Sequence, residues 1–175
     1  MTAVDVGVVG GGIVGLSTAY ALTELGATVR VYESGVPGDG QSGGESRIFR
    51  HAHDDARLVT LARASRAIWA EWASRAGTEL VSADGAVAIG LAVNKRLAVL
   101  DEVGGVPVGY RHCWVTRVPW SDDGFAAWQR DGLVFLAGHN LFKQAPAIGR
   151  AVARLAVGEQ PEVDVAPECR LGAGS

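Results

Sequence analysis

The stretch that most constrains this chain is "VDVGVVGGGIVGLSTAYALTELGATVRVYES", Val4 to Ser34. Val4, Val6, Val8 and Val9 make a short β-branched run of the kind that forms a strand buried on both faces. The spacing then changes. Ile13 to Leu25 predicts a helix with Val14, Leu16, Ala19, Tyr20 and Leu22 available for packing, and Gly26 stands where a C-terminal cap is expected. Val29, Val31 and Tyr32 predict a second strand that ends at Glu33. Between the first strand and the helix lies Gly10-Gly11-Gly12-Ile13-Val14-Gly15, a G-x-G-x-x-G in the strand, turn, helix context that gives the motif meaning. Gly10 allows the tight turn, Gly12 lets backbone N–H groups approach a pyrophosphate at the positive helix end, and Gly15 permits close helix–strand packing. Glu33, 18 residues after Gly15, is placed to accept hydrogen bonds from an adenosine ribose, and its charge disfavours a 2′-phosphate. These residues predict an α/β, Rossmann-like domain with a central parallel sheet that binds a dinucleotide. They leave FAD and NAD both open.

Beyond the second strand, Gly35 to Gly44 holds five glycines and a proline, which is loop chemistry. Asp54 or Asp55 then caps a long helix in which Leu58, Leu61, Ala62, Ser65, Ile68, Trp69 and Trp72 recur at helical spacing, closed by Gly77. "ELVSADGAVAIG" predicts two short strands around Asp84-Gly85. From Val93 to Val103 the pattern is weakly helical, and "GGVPVG", Gly104 to Gly109, is the most linker-like stretch. "HCWVTRVPW" and "GLVFLAG" read as strands, and Ala145 to Val157 as a helix ended by Gly158.

At 175 residues the chain can bury one sizeable core. A net charge of −3 from scattered acids and bases, with no basic run, argues against nucleic acid as a partner. No apolar stretch reaches the roughly 18 residues of a membrane span, and Val4 to Val9 lacks the basic flank of a signal peptide, so a cytoplasmic location is expected. The two cysteines, Cys113 and Cys169, have neither Cys-x-x-Cys nor His-rich spacing, and His51 and His53 have no partner at metal-ligand spacing, so no metal is expected.

The segment "GGESRIFRHAH", Gly43 to His53, places Arg47 and Arg50 three residues apart. In an extended backbone such residues point to opposite faces and can serve two different ligands. The alternative is a solvated surface where they pair with Glu45, Asp54 or Asp55.

Taken in order, "VGVVGGGIVGLSTAYALTELGATVRVYE", "GGESRIFRHAH", "HCWVT" and "VFLAGHNLFKQAPAIGRAVARLA" resemble the FAD-dependent amine and amino-acid oxidase family that includes monomeric sarcosine oxidase, N-methyltryptophan oxidase and glycine and D-amino-acid oxidases. The resemblance covers residues 4–90 and 110–165 and implies FAD as cofactor. By position it implies that Ser46 and Arg47 lie beside the flavin and that Arg50 holds a substrate carboxylate, a task that suits a planar guanidinium. Cys113 falls where sarcosine-oxidase-like members attach flavin through sulfur. Gly138, His139, Asn140 and Leu141 resemble a loop that contacts the flavin pyrimidine, and Lys143 is implied as a second carboxylate ligand or else an exposed lysine. The histidines that some relatives carry before the arginine motif are replaced by Ser42 and Gly43.

The resemblance also implies what is shortened. Family members carry a substrate domain between the hairpin near Gly90 and His112, whereas here residues 93–109 stand in its place. The expectation is a single FAD-binding domain over residues 1–175, built from segments 1–92 and 110–165, with the substrate domain largely absent. The implied activity is oxidation of the C–N bond of a small amine or amino acid, sarcosine-like or a D-amino acid, with oxygen giving imine and hydrogen peroxide. The alternative is a non-catalytic FAD-binding or interaction protein, and in either case a second copy or a partner chain is expected to cover the open flavin face.

Overall fold

The computed structural model describes residues 5–44, 47–51, 53–83, 116–139 and 141–173. Strand β1 (Val6–Val9), helix α1 (Ile13–Glu24) and strand β2 (Val29–Tyr32) form a β–α–β start in which β1 and β2 pair in parallel, Val6 opposite Val29 and Val9 opposite Tyr32. Gly26, at φ 87°, follows the helix as expected. The parallel sheet among the described residues consists of these two strands. Their burial differs from expectation. Val6, Val8 and Val29 face inward, while Val9 is 89% exposed, because α1 and a later helix pack on one face and no described element covers the other.

Helix α2 (Ala56–Ala76) begins where Asp55 accepts the Arg57 backbone N–H and ends at Gly77, φ 65°. The apolar positions read from its spacing are the ones it buries: Leu58, Leu61, Ala62, Ser65, Ile68 and Trp69. A second, antiparallel pair follows, β3 (Phe125–Arg130) and β4 (Leu133–Gly138), joined by Asp131-Gly132 with both residues at positive φ. This is the two-residue turn that suits a right-twisted hairpin. Helix α3 (Ala145–Ala156) starts with a proline in its first turn, and Gly158 follows at φ 79°.

Helix α3 organises the molecule. Its Ala147, Ile148, Ala151 and Val152 join Leu58, Leu61 and Ile68 of α2, Phe125 and Ala127 of β3, and Val165 and Leu171 of the C-terminal segment in the main core. Its opposite side presents Ala153 to Ala21 and Leu22 of α1. The two helices approach closely at Gly149, where a Cβ would lie 2.7 Å from the Ser17 backbone carbon and side chain.

The strand expected over His112–Trp120 is not formed in its described part, which holds only a bridge from Val118 to Ser121. Pro119 has no N–H for a ladder, and the Trp120 indole donates instead to the Leu171 carbonyl at 3.0 Å. Glu79 to Ala83 is likewise irregular rather than a strand. The Asp84-Gly85 turn, the linker 93–109 and the segment carrying Cys113 lie outside the described residues, as do Ser46 and Asn140. Among the described residues no helix is long and apolar enough to cross a membrane.

Candidate functional site

The glycine turn is built as its spacing demands. Gly10 sits at φ 101° and donates its N–H to the Tyr32 carbonyl at 2.8 Å, tying the end of β1 to the end of β2. A Cβ on Gly15 would overlap the Gly10 carbonyl, whose carbon would be 3.1 Å away, so the first turn of α1 lies directly against the loop. Helix α1 starts at Gly12, which has no capping side chain, and carries no acid in its first turn, so its positive end depends on partners from other segments.

Those partners are the chain's own. Gly11 N–H donates to Glu33 Oε2 at 2.7 Å, and Gly35 N–H to Oε1 at 2.9 Å. These backbone bonds, Gly11 first, hold the Glu33 carboxyl below its ordinary pKa. Ile13 N–H donates to Ser42 Oγ at 2.8 Å, and Gly38 N–H to the Gly11 carbonyl at 2.9 Å, so the loop from Gly35 folds back over the turn. Ser42 is a site residue that the sequence reading had noted only as a departure from relatives. A hydroxyl within a glycine-rich loop was the signal available. The residue set is that of a dinucleotide turn, three glycines at a helix N-terminus with an ionised acid at the tip of the second strand, and Glu33 and Ser42 occupy the Gly11 and Ile13 N–H groups that a pyrophosphate would take.

The second cluster brings together residues from distant parts of the sequence. Arg50 Nη2 lies 2.9 Å from Asp123 Oδ2, and His53 Nδ1 lies 3.4 Å from the same oxygen. Lys143, only 3% exposed, is close enough for the charges of Asp123 and Arg50 to act on it. Burial is the main cause that lowers its pKa to about 8. The His53 side chain is 1% exposed, and desolvation, followed by the cations Lys143 and Arg50, lowers its pKa against the opposing pull of Asp123. At 3.4 Å its contact with Asp123 is electrostatic rather than a hydrogen bond, and neither ring nitrogen has a hydrogen-bond partner among the described residues.

Secondary structure explains why these residues meet. The β3–β4 register sets Phe125 opposite Gly138, and His139 N–H donates to the Gly124 carbonyl at 3.0 Å, which brings Asp123 beside the segment that follows β4. Helix α2 then pins that segment. Trp69 Nε1 donates to the Lys143 carbonyl at 3.0 Å and Ser65 Oγ to the Gln144 carbonyl at 3.1 Å, both buried. Lys143 is therefore an interior lysine and not an exposed one.

Arg47 and Arg50 diverge to different partners. The Arg47 guanidinium donates to the Gly43 carbonyl and stacks over Phe142, 5.3 Å from the ring centre. It lines a cavity of about 580 Å³ with Phe49, Arg66, Trp69, Phe142 and Lys143, while Arg50 turns to Asp123. Among the described residues neither pairs with Asp54, Asp55 is engaged by Arg57 at 2.6 Å, and Glu45 lies outside the described residues. His51, Gly138, His139 and Leu141 lie on the surrounding backbone, with Leu141 packed on the main core. Among the described residues no group of three His, Cys, Asp or Glu side chains is arranged to hold a metal.

Comparison with known proteins bears on the family. Residues 5–101 match the family model described as DAO, FAD dependent oxidoreductase. No curated protein matches the chain. A solved structure of NikD, "an unusual amino acid oxidase essential for nikkomycin biosynthesis", in its open form, is 25% identical with a TM-score of 0.40, covering 89% of this chain and 42% of that one. The chain thus spans less than half the length of that protein.

Proposed function

Because the chain belongs to the FAD dependent oxidoreductase family, we propose that it binds FAD and oxidises the C–N bond of a small amine or amino acid, sarcosine-like or a D-amino acid. Gly10, Gly12, Gly15, the backbone of Ile13 and Val14, and Glu33 would hold the adenosine diphosphate half of the cofactor. Ser46, Arg47, Gly138, His139, Asn140 and Leu141 would hold the flavin half, with Cys113 as the candidate for covalent attachment. When bound, FAD supplies a two-electron oxidation, accepting the hydride from the carbon next to nitrogen and returning the electrons to oxygen, so that the products are an imine and hydrogen peroxide.

The chain's own residues bind and orient the substrate. Arg50 offers a planar guanidinium and Lys143 a buried ammonium, which together suit a carboxylate. Below a pH of about 8 Lys143 carries its charge. His53, buried beside Asp123, has its charged form disfavoured by desolvation and by the neighbouring cations. No side-chain nucleophile is required. The observation that carries the reading is the convergence of Arg50 and Lys143, far apart in sequence, around a carboxylate already present in the molecule, Asp123.

Reconstitution with FAD followed by anaerobic addition of sarcosine or a D-amino acid tests the proposal. Flavin absorbance that bleaches on addition supports it, and failure to retain flavin removes it. Flavin that is retained but never bleached favours a non-catalytic flavin-binding or interaction protein. The exposure of Val9, Ile48 (73%) and Tyr32 (51%) supports that second reading, since such apolar surface suits cover by another chain or a second copy.

A further inference from the structure

We propose that Asp123 determines specificity at this site: it is an internal carboxylate seated on Arg50 that an incoming carboxylate must share or displace, so that dicarboxylates are disfavoured. The inference rests on reading Arg50 and Lys143 as the carboxylate clamp. Three observations carry it. Asp123 Oδ2 is within hydrogen-bond distance of Arg50, so the guanidinium already has an anion on one edge. The pair is at the rim of the cluster, with Arg50 44% and Asp123 35% exposed, so a ligand can reach the remaining N–H donors of the same guanidinium. Third, Asp123 is held in place by built structure. Its backbone N–H donates to Ser121 Oγ at 3.0 Å, and the adjoining Gly124 is packed so closely that a Cβ there would come within 2.9 Å of Val118 and 3.0 Å of Ser121.

An anion fixed at that point acts in two ways. It draws on the same cation that a substrate carboxylate needs, and it repels any second carboxylate on the ligand. A neutral residue of the same shape removes both effects while keeping an acceptor for Arg50. Asp123→Asn is therefore expected to tighten a monocarboxylate about fivefold, the range of a partly exposed ion pair, and a dicarboxylate by more.

The test is the affinity of acetate and malonate for wild type and D123N, measured by calorimetry on flavin-free and on FAD-loaded protein. The expected result is that malonate binds wild type no more tightly than acetate, despite its additional charge, and that D123N tightens both, malonate most. Carboxylate binding that is unchanged or weakened in D123N overturns the inference and makes Asp123 a residue that only orients Arg50. Malonate binding tighter than acetate in wild type overturns it as well, without recourse to the variant. If FAD binds but neither carboxylate binds either protein, the clamp itself is refuted, and the inference with it.

Discussion

Gly15→Ala isolates the contact on which the glycine turn depends. A Cβ at this position would overlap the Gly10 carbonyl oxygen, with the carbonyl carbon at 3.1 Å and Val8 Cγ1 at 3.6 Å. The neighbour is backbone, so no side-chain rotation relieves the overlap. Either α1 lifts from β1 or the Gly10 peptide shifts. Inserting a methyl into such a contact costs about 1–3 kcal/mol, and the better helix propensity of alanine returns at most about 1 kcal/mol. A net loss of up to about 3 kcal/mol, centred on about 1, in a chain of this size lowers Tm by about 2–4 °C per kcal/mol. The functional effect is expected to be larger than the loss of stability, because the displaced groups are the N–H donors that would cradle the pyrophosphate. FAD affinity should fall at least tenfold, equivalent to about 1.4 kcal/mol. Scanning calorimetry and FAD titration on the same sample measure the two effects. Gly40→Ala is the control: nothing lies within 4 Å of its would-be Cβ, and both readings should stay near wild type. Unchanged FAD affinity in a folded Gly15→Ala protein would refute the assignment of this turn.

Asp55→Ala removes the cap of α2 together with the acceptor for Gly172 N–H at 2.8 Å, and should cost about 2–3 kcal/mol, read as a Tm lower by about 5–10 °C. The Arg57 side chain, with the Gly172 and Arg57 N–H groups, lowers the Asp55 pKa from 3.8 to about 2, so its contribution is present above pH 4 and is lost as pH falls towards 2. An acid-denaturation curve whose midpoint is unchanged by Asp55→Asn would contradict this. Carboxylate affinity should decline as pH rises through about 8, where Lys143 loses its proton, and Lys143→Met should abolish that step in a calorimetric pH series. Cys113 can be tested on a denaturing gel under ultraviolet light: fluorescence that stays with the band, and vanishes in Cys113→Ser, is the result expected of a covalent flavin.

The N-terminal half of the fold was legible because its signals are local. Val6 to Glu33 combines β-branched strand runs, a helical spacing and glycines whose φ values and close approaches are set within the segment itself. Helix α2 could be read from its apolar stripe, Gly77 and a cap at Asp54 or Asp55, of which Asp55 is the one used. Strand β3 was missed because Phe125, Ala126 and Ala127 are all buried and the exposed residues follow as a block, so "FAAWQR" lacks alternation. The signal that carries this hairpin is the Asp131-Gly132 turn, with both residues at positive φ. The one-sided burial of β1 could not be read from a valine run, since it depends on which elements pack behind it.

At the site, Arg50 and Lys143 were found through resemblance, but Asp123 and the burial of His53 were not. Asp123 in "WSDDGF" looks like an ordinary turn acid, and its significance comes from the β3–β4 register that carries it across to Arg50. Ser42 was similarly hidden, because its hydrogen bond to Ile13 spans a loop whose path no local pattern fixes.

The central claim is that the turn from Gly10 to Gly15, with Glu33, is a dinucleotide site. It is tested most directly by titrating the flavin-free protein with FAD and, separately, with FMN, which lacks the adenosine half. The account predicts saturable FAD binding at least a hundredfold tighter than FMN, equivalent to about 2.7 kcal/mol or more from the adenosine contacts alone. Equal affinity for the two, or no binding of FAD, would contradict it.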